Sequence, residues 1–157
     1  MKTTYASFVA GLFLAAWLAR PTGLQAASII QFSATTYSVC EWAGTITLTV
    51  QRTNDTNTEV SVDYATADGT ATNGLKYTAT NGTLAFAAGE TNKTVVVQIL
   101  NEGFVEGTKG FRVALSNPEG GAVLGVRTNA SVLSRITTWE FNADSAPPPW
   151  PKMRARC

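Results

Sequence analysis

A chain without histidine has few routes to nucleophilic or metal chemistry, and none of these 157 residues is His. Ser–His and Cys–His nucleophile pairs are excluded with it, as is a His-ligated zinc. What remains is carboxylate chemistry. Glu102 and Glu106 stand four positions apart, and Glu41 follows Cys40. Paired carboxylates can do acid–base work on a glycosidic bond when a cleft holds them. Nothing in the flanking sequence indicates such a cleft, and the chain reads as non-enzymatic. Cys40 lacks the neighbouring base and electropositive setting of a reactive thiol. Trp42 could stack on a sugar or a partner, although half-buried packing is the commoner role. Gly69, Gly74, Gly82 and Gly89 fall in turn sequences with no helix behind them, so they form no phosphate cradle.

Composition points to the scaffold that must carry these residues. Charged residues are 15% and hydrophobic ones 45%, which excludes a disordered polyelectrolyte. A formal net charge of +1 and scattered basic residues give no reason to expect nucleic acid as a partner. Threonine occurs 23 times and glycine 13 times, a balance that favours short strands and turns over helices.

The two ends read differently from the body. Lys2, an apolar run from Phe8 to Ala19, and the small residues Ala26 and Ala27 have the layout of a secretory signal peptide over residues 1–27. That run is shorter than the ~20 residues needed to span a bilayer, and no later segment is apolar enough to cross one. Secretion or display at the cell surface follows as the expected localisation. Loss of Lys2 and Arg20 leaves 10 basic and 11 acidic residues, a mature charge of −1. Cys40 and Cys157 are expected to remain unpaired thiols, since Cys157 closes a Pro-rich tail. Residues 137–157, with Pro147, Pro148, Pro149 and Pro151 around Trp150, are expected to form an irregular tail without regular secondary structure. Four sequons, beginning at Asn54, Asn81, Asn92 and Asn129, matter only in a host that glycosylates them.

Between these ends, residues 28–136 carry strand periodicity throughout. Ile46, Leu48 and Val50 alternate with Thr45, Thr47 and Thr49, the pattern of a strand with one wet face. Val60–Tyr64, Leu84–Phe86, Val95–Ile99, Phe111–Leu115 and Ala130–Ser134 follow, and an opening strand lies within Ile30–Val39. Turn residues separate them at Asn54-Asp55, Asp68-Gly69, Asn81-Gly82, Gly89-Glu90 and Asn117-Pro118-Glu119-Gly120-Gly121. About seven short strands at this spacing fit an all-β, immunoglobulin-like antiparallel β-sandwich. No crossover helices are visible, which excludes a Rossmann unit or a TIM barrel.

Three stretches resemble the Calx-beta domain family. They are Asp68-Gly69-Thr70-Ala71-Thr72-Asn73-Gly74 with Tyr77, then Gly82-Thr83-Leu84-Ala85-Phe86-Ala87-Ala88-Gly89-Glu90, and finally Phe111 to Pro118 preceded by Glu106. Glu41 matches the family's early acidic position. The resemblance covers about Ile30 to Ser134. It implies a seven-stranded sandwich of the kind found in sodium–calcium exchangers, an integrin beta subunit and many bacterial surface proteins. In the exchangers such a module senses calcium through loops at one end; in bacterial proteins it is structural or adhesive.

The resemblance also implies where calcium ligands would fall: Glu41, Lys76, Glu102, the Phe104 carbonyl, Glu106, Lys109 and a pair at Ile136 and Thr137. Glu41, Glu102, Phe104 and Glu106 can supply oxygens, whereas Lys76 and Lys109 bring ammonium groups that repel a dication. Two outcomes stay open. Either Glu102 and Glu106 are held in exposed ion pairs with Lys76 and Lys109, or the cluster holds one calcium ion weakly. The expected function is a non-enzymatic extracellular module with a structural or adhesive role, meeting other surface proteins or neighbouring domains. The alternative is a calcium-binding regulatory module with a degenerate site.

Overall fold

The computed structural model describes residues 26–103 and 107–135, together with the backbone of two strands at 138–141 and 153–156. All of the expected signal segment before Ala26 lies outside the described residues. Among the described residues nine strands form two facing sheets: β1 (Ser28–Phe32), β2 (Thr36–Cys40), β3 (Thr45–Thr53), β4 (Val60–Ala67), β5 (Asn81–Phe86), β6 (Asn92–Gln98), β7 (Lys109–Glu119), β8 (Ala122–Leu124) and β9 (Asn129–Arg135). The first sheet runs β6-β3-β1-β8 and the second β2-β9-β7-β4-β5. The sandwich expected from the alternation is therefore present.

The period-2 pattern decides which face of each strand is dry. Ile46, Leu48 and Val50 of β3 are buried against Val60 and Val62 of β4 and Val113 of β7 across the interior, while Thr45, Thr47 and Thr53 point outward. Each buried aliphatic or aromatic side chain contributes about 1.5–3 kcal/mol relative to exposure.

Three features depart from the sequence reading. The single opening strand is two strands that change sheets at Ser33–Thr35: β1 pairs antiparallel with β3 and parallel with β8, and β2 pairs parallel with β9. So the sandwich is not antiparallel throughout, and the three-residue β8 was too short to leave an alternation signal. The tail is not wholly irregular. A further pair, β10 (Thr138–Phe141) and β11 (Met153–Arg156), forms an antiparallel ribbon in a sheet of its own. Thr, Trp and Phe in β10 favour extended backbone, and the four prolines fall between the strands rather than in them. Finally, Cys40 is disulfide-bonded, and among the described residues no cysteine is free. The only other cysteine in the sequence is Cys157, directly after β11 and itself outside the described residues. The ribbon supplies the reason that the unpaired-thiol expectation failed. Cys40 lies in register with Arg135, where the chain leaves β9, and the ribbon register sets Arg156 opposite Thr138, where the ribbon begins.

Candidate functional site

The signature loop from Asp68 to Tyr77 is a cross-braced structure. Asp68 Oδ1 accepts hydrogen bonds from the Asn73 amide (2.9 Å) and the Tyr77 hydroxyl (2.5 Å). Asn73 Oδ1 accepts from the Ala79 amide at 2.7 Å, and Thr70 Oγ1 from the Gly110 amide at 2.8 Å. A Cβ at Gly69 would collide with the Gly110 carbonyl oxygen, so only glycine lets the loop lie this close to β7. Tyr77 is 1% exposed and stacks on Phe111, with ring centroids 4.0 Å apart and planes 9° from parallel. Burial, reinforced by the hydrogen bond to Asp68, pushes its phenol up to about 12.

This bracing positions Lys76, the residue before Tyr77. Its amide donates to Thr72 O at 2.9 Å, and its carbonyl accepts from Leu100 N at 3.0 Å. The side chain turns inward to the end of the sandwich, where a 3-10 turn at Glu41–Ala43 follows β2. There Lys76 Nζ lies 3.0 Å from Glu102 Oε2 and 3.8 Å from Glu41 Oε1. Glu41 is 2% exposed, Lys76 6% and Glu102 27%. One ammonium thus sits between two carboxylates, and the trio carries one net negative charge. Oε2 of Glu41 is buried without a hydrogen-bond partner among the described residues.

Of the four expected oxygen donors, the structure brings Glu41 and Glu102 together. Phe104 and Glu106 lie outside the described residues, as do Ile136 and Thr137. The expected Glu102–Lys76 pair is present, but it is part of a buried trio and not an exposed pair. Lys109 opens β7. Trp42, expected to be half-buried, is 58% exposed, because its short turn buries Glu41 instead. Among the described residues no three acidic, Cys or His side chains converge as a metal site. Calcium requires six to eight oxygens, and here an ammonium occupies the space between the two carboxylates. The described residues do not fit the ion.

Sequence reasoning missed a second buried cation. Arg52, 1% exposed, continues the inward series Ile46, Leu48, Val50 at the opposite end of β3. Its Nε donates to Ser28 Oγ (3.0 Å) and Asp55 O (3.2 Å), Nη1 to Ala87 O (3.3 Å) and Nη2 to Thr58 O (2.6 Å). Ser28 Oγ in turn donates to Asp55 O. The guanidinium ties the start of β1 to the β3–β4 and β5–β6 connections. An arginine in phase with three buried aliphatic residues was the signal available in the sequence.

The Calx-beta domain family model matches residues 24–135. The chain is 42% identical over 91 residues to sodium/calcium exchanger 1 of Canis lupus familiaris, covering 57% of this chain and 9% of the exchanger. It is 36% identical over 97 residues to adhesion G-protein coupled receptor V1 of Danio rerio, covering 62% of this chain and 2% of the receptor. The chain therefore spans less than a tenth of the length of these relatives. Among solved structures, the apo-form Calx CBD1 domain superposes with a TM-score of 0.68 at 29% identity, over 70% of this chain and 97% of that one. The calcium binding domain CBD12 of CALX1.1 gives 0.65 at 30% identity, over 67% of this chain and 44% of that one.

Proposed function

Because the chain belongs to the Calx-beta domain family, we propose that it is a non-enzymatic extracellular or cell-surface module with a structural or adhesive role, whose end loops are held without calcium. The observation that carries this reading is Lys76 Nζ lying 3.0 Å from Glu102 and 3.8 Å from Glu41. Calcium regulation needs a cluster that is incomplete until a dication enters. Here the chain's own ammonium balances one of the two carboxylate charges. Replacing it by a dication would require moving a buried, paired side chain, which opposes binding. The exported apolar leader expected over residues 1–27 supports the extracellular assignment, and a sandwich braced at both ends suits a spacer or contact unit.

The test is thermal melting of the mature chain in calcium and in chelator, alongside fractionation of the cells that make it. An unchanged melting temperature and recovery of the processed chain from the medium or surface are expected. A rise of several degrees at micromolar calcium, or retention of the unprocessed chain inside the cell, overturns the reading.

A second reading, one weak calcium site, is favoured by the buried, unpartnered Oε2 of Glu41 and by the relatedness to a structure described as a calcium binding domain. Isothermal titration separates the two. A single ion held at millimolar strength supports the second reading, and no detectable heat supports the first.

A further inference from the structure

The outer strands of a sheet turn one side of their backbone to solvent, where it can pair with another chain. In the first sheet these strands are β6 and β8; in the second they are β2 and β5. β8 is three residues long, β5 carries Gly82, and β2 ends at the disulfide-bonded Cys40. β6 has none of these interruptions. It pairs with β3 over seven consecutive positions without a shift, so no bulge turns its edge away. The Ile99 amide donates to Gly44 O and the Arg52 amide to Thr91 O, which fixes the odd-numbered residues of β6 as those bonded to β3. Asn92, Thr94 and Val96 therefore turn their amides and carbonyls to the open side, and no hydrogen bond among the described residues occupies these backbone groups. The open stretch ends at Gln98, whose carbonyl accepts from the Thr78 amide at 3.0 Å.

We propose that this edge is a contact site for a second copy of the same chain, the two β6 strands running antiparallel across a two-fold axis at Thr94. The strand is self-complementary in that register. Thr94 opposes its own counterpart and Asn92 opposes Val96, so every open amide and carbonyl from Asn92 to Val96 in both copies is satisfied. A strand that begins at Asn92 also stops short of the Thr78–Gln98 bond, since Asn92 lies opposite Val96. Charge does not oppose the approach. From Thr94 to Asn101 the chain has no charged residue, no glycine and no proline, the composition of a segment that pairs with copies of itself. Lys93, the one charge in β6, is held by Glu90 at 2.8 Å and would oppose Val95, not its own counterpart. On the outward face Val96 is 54% exposed, and the neighbouring Thr45, Thr47, Thr49 and Gln51 of β3 are uncharged. One pair of strands covers less than the ~1,200–2,000 Å² of a standard stable interface, so the dimer forms at high local concentration. The inference goes beyond the reading above by naming a partner, and association is measured apart from calcium and export, so either reading can fail alone.

The experiment is sedimentation velocity of the full mature chain from micromolar to millimolar concentration, with amide hydrogen exchange at both ends of that range. A reversible dimer is expected. Amides of Thr94 and Val96 should exchange about tenfold more slowly in concentrated than in dilute solution, whereas those of Val95 and Val97, bonded to β3 in either state, should not change. Thr94→Lys alters an exposed side chain, so the single copy still folds, and it sets like charges directly opposite each other across the axis. It should weaken association by about tenfold or more, and Thr94→Glu should do the same. Mixing the two variants should restore association, because unlike charges then face each other. Val123→Lys, on the far edge of the same sheet, should change nothing. A chain that stays monomeric at millimolar concentration overturns the proposal. So does a dimer that Thr94→Lys leaves intact, a mixture that fails to associate, or a dimer in which the Thr94 and Val96 amides gain no protection.

Discussion

Replacing Lys76 by methionine is the sharpest perturbation that the ion trio allows. Methionine keeps most of the length and the apolar stem of lysine and removes only the ammonium. Glu102 is 27% exposed and can turn towards water, but Glu41 is 2% exposed and cannot. Deleting one partner of a buried pair costs about 3–5 kcal/mol, because the remaining charge stays desolvated. With Glu102 able to escape, the lower end applies, about 3 kcal/mol. For a domain of this size each kcal/mol lowers the melting temperature by about 4 °C, so Lys76→Met should melt about 12 °C below the parent. Adding Glu41→Gln should recover most of that loss, since an amide leaves no buried charge to strand. Differential scanning calorimetry of the parent, both single variants and the double variant measures each term. If Lys76→Met melts within two degrees of the parent, the ammonium is not neutralising a buried carboxylate and the reasoning fails.

Other outcomes follow from the same geometry. Tyr77→Phe removes the hydrogen bond to Asp68 and should cost about 1–2 kcal/mol by chemical denaturation. The folded phenol titrates at about 12, above the roughly 10 of an unfolded tyrosine. Its contribution is therefore complete below about pH 10 and lost as pH rises through 12, and the Tyr77→Phe variant should lack this alkaline loss. Arg52→Met leaves the carbonyls of Asp55, Thr58 and Ala87 without their common donor and should destabilise by about 3–5 kcal/mol in urea titration. Lys76→Asp combined with Lys109→Glu should raise calcium affinity above either change alone by isothermal titration; equal affinities would separate the two lysines into unrelated sites.

The sandwich was legible because its strands are half-buried, and half-burial writes itself as alternation. Thr45–Val50 and Val95–Ile99 state both the strand and its dry face. The signature loop was legible for a different reason, since Asp68, Gly69 and Tyr77 each satisfy a local demand: a side-chain acceptor, a close backbone approach and a buried donor. The candidate site was half legible. Sequence comparison placed Glu41, Lys76 and Glu102 in one cluster, yet which carboxylate the lysine reaches depends on backbone distances that spacing does not encode. Arg52 sat in plain view at an inward position, but its partners are main-chain carbonyls from distant loops and carry no sequence signature. The Cys40 disulfide and the β10–β11 ribbon were hidden by the intervening prolines, because two four-residue strands far apart give too little pattern to recognise before their register is known.

The division of the first strand has a consequence for the order in which the molecule can assemble. β1 and β2 leave the ribosome early, but β8 and β9, their parallel neighbours, are among the last parts of the sandwich to be made. Neither sheet can gain its full set of strands until nearly the whole domain has emerged. Loop closure over that separation must be met before those pairings reward it, which places the fold among slow, high-contact-order topologies. The sandwich closes last, when β8 arrives beside β1 and β9 beside β2, one completing each half of the divided beginning.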